Sequence, residues 1–183
     1  MQVRNTKTAY GLISILLHWL MAVLLIGLYL LGDYMVDLSY YNPWYKSLPE
    51  LHKSIGMVVA MLLLLRLVWN YSQRRPDPVS SDGAPILERL AKLGHLALYG
   101  LMVAMVVSGY LISTAKGHGI YVFDFIEIPA VLAVDNDRGK LAEKIHEYAT
   151  LGFMLLVIGH ALAALIHHLY FKDKTLARMV GKA

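Results

Sequence analysis

Residues 141–171 read LAEKIHEYATLGFMLLVIGHALAALIHHLYF. Past its charged opening turn, this stretch supplies the roughly 20 apolar residues that a helix needs to cross a bilayer core. His146 and His160 lie inside it, 14 residues apart. At 3.6 residues per turn that is nearly four turns, so both face almost the same way, about 21 Å apart along the axis. Ionisable residues within a span are costly and mark function by default. One helix with two histidines at two depths suits two flat cofactors stacked against it.

Working outward, three more segments are long and apolar enough to span: about 10–32, about 50–70 and about 93–113. The first carries His18, the second His52, Lys53 and Arg66, and the third His95. The whole chain is 57% apolar and 16% charged, against about a quarter charged in soluble domains, so lipid must cover part of its surface. The first span is too long for a signal-peptide core and reads as a resident helix. The expected fold is therefore an all-α integral membrane protein, a four-helix up-down bundle forming a single domain over 1–183. There is no cysteine, which removes disulfides, thiolate haem ligation, iron–sulfur clusters and covalent c-type haem. No basic, aromatic-studded stretch suggests a nucleic-acid partner.

Charge in the connections orients the bundle. Eleven basic residues, among them Arg4, Arg66, Arg74, Arg75 and Arg178, fall on the side of the termini, and six on the other. The positive-inside rule then puts both termini in the cytoplasm. Tyr34, Tyr40, Tyr41, Trp44, Tyr45 and Trp69 sit where interfacial anchors belong. Residues 74–84 read as a polar loop. The longer connection, 114–140, has an apolar stretch from Tyr121 to Val134 interrupted by Asp124, Glu127 and Pro129. It is too short and too charged to span, and is expected to lie over the outer face.

Two trans imidazoles can hold a haem iron, and depth pairs the candidates. His52 enters its helix from the outer side, as His146 does; His18 lies at the inner depth of His160. By depth alone His95 rivals His18. Gly56 lies one turn from His52, Gly159 adjoins His160 and Gly94 adjoins His95. Each would let a flat ring approach, or serve close helix packing. Arg66 follows His52 by 14 residues, which points it toward the same face at the inner depth, where it could meet a haem propionate; the alternative is an interfacial arginine reaching toward headgroups. His167 follows His160 by seven residues, two turns further on the same face. His167 and His95 are thus the candidates to hydrogen-bond a quinone. Rival chemistries lack parts: Thr150 stands where a second zinc-binding histidine would follow His146-Glu147, and no carboxylate lies deep in any span.

The chain resembles the bacterial cytochrome b561 family, within the wider group of di-haem cytochrome b subunits of formate dehydrogenases and hydrogenases. The resemblance rests on Leu17-His18-Trp19, Leu51-His52-Lys53-Ser54-Ile55-Gly56, Gly94-His95-Leu96-Ala97-Leu98-Tyr99, His146-Glu147, Gly159-His160-Ala161-Leu162, His167-His168 and Lys172-Asp173-Lys174-Thr175-Leu176. It implies two haem b groups, His18 with His160 on the inner iron and His52 with His146 on the outer. His95 then falls to a quinone-side role. It further implies a multi-pass protein of the bacterial inner membrane passing electrons between a periplasmic partner and ubiquinone or another quinone. Some members resemble a superoxide:ubiquinone oxidoreductase. Against superoxide stands the outer charge: nine acidic residues to six basic, a poor funnel for an anion, so a periplasmic protein or carrier is the expected partner. A haem-free small transporter or assembly subunit is the alternative of another class.

Overall fold

The computed structural model describes residues 2–79, 85–131 and 136–182. Its elements are α1 (Leu12–Val36), α2 (Ser47–Ser72), α3 (Pro85–Thr114), β1 (Ile120–Val122), β2 (Ile126–Ile128), α4 (Asn136–Leu169) and a short α5 (Thr175–Met179). Helices α1 to α4 are each long and apolar enough to cross a membrane. Expected and observed spans overlap over most of their length and differ at their ends. Helix α3 begins eight residues before the expected 93, with Pro85 at its first position, where the missing N–H costs nothing. The Glu88–Lys92 ion pair at 2.6 Å braces that turn. Helix α4 likewise begins five residues before the expected 141. Hydropathy marks where lipid begins, and a helix need not stop there.

Side-chain bonds fix the order of the bundle. Trp69 Nε1 donates to Ser14 Oγ (3.0 Å), joining the end of α2 to the start of α1. Asn70 Nδ2 donates to the Tyr99 hydroxyl (2.8 Å), joining it to the first half of α3. Ser108, late in α3, meets His146, early in α4, at 3.1 Å. Successive helices therefore run antiparallel, the expected up-down arrangement. Helices α1 with α2, and α3 with α4, form the two closely packed hairpins. Met21, Leu62, Leu63, Met102 and Phe153 form the buried core where they meet. Outside, Leu16, Leu64, Leu96 and Leu155 stand exposed on successive helices. Such a ring of leucine is unfavourable in water and natural against acyl chains.

The connection expected to be an apolar loop holds an antiparallel hairpin, with Ile120 opposite Ile128 and Val122 opposite Ile126. Phe123 and Asp124 turn it at φ 48° and 61°. The hairpin is pinned to α2 by Ser54, whose hydroxyl donates to Tyr121 O (3.3 Å) and accepts from Phe123 N–H (3.0 Å). At its edge the Tyr121 hydroxyl donates to Glu127 (3.0 Å), and that bond raises the tyrosine above its ordinary value. The last residues of the polar loop, 80–84, and residues 132–135 with the acidic Asp135, lie outside the described residues.

Candidate functional site

Two histidine pairs bridge the two helical hairpins. His18 of α1 meets His160 of α4 with ring centroids 6.2 Å apart. His52 of α2 meets His146 of α4 at 6.4 Å. Helix α4 thus contributes one member to each pair, as its 14-residue spacing suggested. His95 of α3 also touches His160, closer, at 5.2 Å and edge-on. Its ring is exposed, and its Nδ1 lies 2.7 Å from Ala91 O on its own helix.

The pairs differ in how their rings are held. His146 Nδ1 lies 3.0 Å from Met105 O and 3.1 Å from Ser108 Oγ. The Ser108 hydroxyl donates to Ala104 O (2.6 Å), so toward His146 it accepts. With two acceptors facing it, Nδ1 carries the proton and Nε2 is left with a free lone pair. Across the gap, His52 Nδ1 is buried without a hydrogen-bond partner among the described residues. Both rings rest on glycine. A Cβ at Gly109 would stand 3.1 Å from His146 Cε1, and one at Gly32 would stand 3.3 Å from His52 Cε1.

The other pair has an arginine at its edge. Arg66 turns inward: its Nη2 lies 3.0 Å from His18 Nδ1, its Nη1 3.8 Å from Met21 Sδ, and its guanidinium 5.7 Å from the Tyr99 ring centre. It does not reach for headgroups. A guanidinium has only donors, so His18 Nδ1 accepts and the neutral ring carries its proton on Nε2. In this arrangement His18 cannot offer Nε2 to a metal until Arg66 releases Nδ1.

At Gly56, Gly94 and Gly159 an added Cβ would meet nothing within 4 Å. None of the three is a close helix-packing contact; each faces open space. Gly32, Gly109 and Ser108, which do touch the paired rings, were not singled out in the sequence. A glycine on a neighbouring helix has no sequence relation to the histidine it faces.

His167 lies at the end of α4 and is turned to Asp173, whose Oδ2 is 2.5 Å from Nδ1, and to the Phe171 ring at 5.2 Å. Burial lifts the Asp173 carboxyl, but the bonds from His167 and from Thr175 N–H (2.8 Å) outweigh it and hold the group below its ordinary value. Asp173, too, has no role assigned from the sequence, although an Asp two positions before a Thr is a turn signal.

Comparison with known proteins places the chain in a family. Over its full length the chain is 43% identical to "Cytochrome b561 homolog 2" of Escherichia coli (strain K12), covering 97% of that protein. It is 31% identical to "Probable superoxide oxidase CybB" of Yersinia pestis over 181 residues, 94% of this chain and 96% of that one. With "Cytochrome b561 homolog 1" of Escherichia coli (strain K12) it shares 29% over 171 residues, 92% and 95% of the two chains. The profile of the family described as prokaryotic cytochrome b561 matches residues 9–182, almost the entire chain, and the protein belongs to that family.

Proposed function

We propose that this multi-pass membrane cytochrome holds two b-type haems and passes electrons between a partner at one face and membrane quinone at the other. His52 with His146 and His18 with His160 are the proposed ligand pairs. The observation that carries this reading is distance. The two rings of each pair stand across a gap that would admit one metal ion between them, given a metal–imidazole bond of about 2.0 Å. The pairs stand at 6.2 and 6.4 Å, whereas His95 lies nearer His160, at 5.2 Å, and would leave less room for an ion between the rings.

Haem iron supplies one-electron chemistry when bound, and the chain's part is to orient and shield. Met105 O and Ser108 set the His146 tautomer, and Gly32 and Gly109 admit the rings. Open space beside Gly56 and Gly159 leaves room for a wide flat group. Arg66, released from His18, would be free to pair with a carboxylate of such a group. His95 and His167 are proposed on the quinone side, where Asp173 aligns the His167 ring. The test is purification followed by haem count and reduced spectrum. Two haems per chain and a b-type spectrum are expected; a haem-free protein would replace this reading with a transporter or assembly subunit. Quinol reduction that stays normal in the His95→Ala, His167→Ala double variant would remove the quinone role.

The protein is proposed to lie in the inner membrane with both termini cytoplasmic, as the positive-inside count suggests. Because the chain lacks cysteine, a single Ser39→Cys variant tests this: an impermeant maleimide should label it from outside intact spheroplasts. A relative named a probable superoxide oxidase favours a second reading, superoxide oxidation at the outer face. We infer a protein or carrier there instead, because acidic residues outnumber basic ones on that side. Haem reduction by superoxide near the diffusion limit, slowed by salt, would decide for the second reading.

A further inference from the structure

The end of the bundle that carries both termini is a built structure. Residues 2–11 fold back on themselves: Leu12 N–H donates to Gln2 O (2.9 Å), Gly11 N–H to Asn5 Oδ1 (2.8 Å) and Thr6 N–H to Ala9 O (2.9 Å). The fold closes so tightly at Gly11 that a Cβ there would collide with the Val3 carbonyl. Asp77 N–H donates to Lys7 O (2.8 Å), tying this segment to the one after α2. Arg178 of α5 donates from Nη1 to Asp77 O (2.7 Å), and Trp19 Nε1 donates to Met179 O (2.8 Å). Three chain segments are thus held together, and a cavity of about 400 Å³ lies between the first and the last, lined by Gln2, Arg4, Thr6, Thr8 and Tyr10 on one side and by Arg178 on the other.

Neither arginine is ion-paired with a carboxylate among the described residues. The neighbouring carboxylate of Asp173 is already taken by His167 and Thr175. Asp77 is engaged through its backbone. Arg178 Nε–H is buried without an acceptor, so it has a bond to gain when the guanidinium turns toward an anion. Two guanidinium forks match the oxygens of a phosphate. The cavity lies within the size range of small-ligand sites. Tyr10, in its lining, is exposed just before the start of α1, a helix long and apolar enough to cross a membrane.

We propose that this pocket binds a phosphate ester, through Arg4 and Arg178, supplied by an anionic lipid headgroup or by a soluble phosphate compound. The site uses none of the paired histidines. To test it, the haem-loaded full chain is placed in phosphatidylcholine nanodiscs and its melting temperature followed in two titrations: phosphatidylglycerol added to the bilayer, and inorganic phosphate added to the buffer. A rise in the first identifies a lipid source, a rise in the second alone a soluble one; both support the proposal. Arg178→Gln should raise the half-saturating concentration about tenfold, the loss of roughly one charge-assisted hydrogen bond. Arg4→Gln, which keeps the α5 contact to Asp77, should do the same and guards against a folding defect in the first variant. Arg75→Gln removes equal charge from the same end without lining the pocket, and should leave the titration within about twofold. No response to either titrant, or an equal loss in Arg75→Gln, overturns the proposal.

Discussion

Replacing Gly109 with alanine adds one methyl group directly against a paired ring. Its Cβ would lie 3.1 Å from His146 Cε1 and 3.4 Å from Nδ1, whereas carbon atoms rest about 3.5–4.0 Å apart. The imidazole must retreat by roughly half an ångström to restore that contact. It is not free to do so, because Nδ1 is tied to Met105 O at 3.0 Å and to Ser108 Oγ at 3.1 Å. Overpacking of this kind costs about 1–3 kcal/mol, a factor of roughly 5 to 150 in an equilibrium constant. The expected outcome is selective weakening of one haem, seen as a high-spin fraction or as a haem count falling from two toward one, with the other haem unchanged. Gly152→Ala is the control, since its Cβ would meet Leu101 Cδ1 at an ordinary 3.6 Å. Spectroscopy and haem count on the purified variants decide. Two fully low-spin haems in Gly109→Ala, with unaltered thermal stability, would refute both the close fit at His146 and its place as a ligand.

Further substitutions probe the other groups. His160→Ala should remove one haem and spare the other, and His95→Ala should keep both; an unchanged spectrum in His160→Ala would break the pairing. Arg66→Gln takes a positive charge away from the His18 pair and should lower one midpoint potential on the order of 60 mV, one factor of ten for a single electron, while potentiometry finds the other fixed; two unmoved potentials would place Arg66 away from the cofactor. Asp173→Asn should destabilise the α4–α5 junction by about 1–3 kcal/mol at neutral pH. Because the Asp173 carboxyl is depressed in the folded protein, its contribution is present above the unfolded carboxylate value and lost as pH falls through the folded one. The melting temperatures of variant and parent should therefore converge in acid, and a gap that persists there would assign the effect to something other than ionisation.

Much of this was legible from periodicity alone. A 14-residue interval on one helix predicts two ring sites at two depths, and the structure brings His18 to His160 and His52 to His146. What depth could not decide was His18 against His95, since both meet His160; the resemblance favours His18, and the proposed pairing adds the separation of the rings, 6.2 Å against 5.2 Å. The glycines illustrate the limit better. Gly159 and Gly94 drew notice as sequence neighbours of histidines, yet adjacent residues on a helix point about 100° apart. The glycines under the rings, Gly32 and Gly109, belong to other helices. Similarly, the hairpin after α3 turns through Phe123 and Asp124 at positive φ, a place where sequence reading looks for glycine. Ser54, which holds that hairpin, is an ordinary small residue until its partner 67 residues away is known.

Both histidine pairs straddle the seam between the α1–α2 hairpin and the α3–α4 hairpin, and this has a bearing on how the protein is made. Each hairpin can insert into the bilayer as a unit, its backbone satisfied within its own helices. Association of the two halves has little hydrophobic drive once both are in lipid. A group coordinated from both sides of the seam would act as a clasp, turning cofactor affinity into assembly energy. Cells starved of haem should then accumulate inserted but unjoined halves, open to membrane proteases, and the supply of cofactor would set how much of the cytochrome survives.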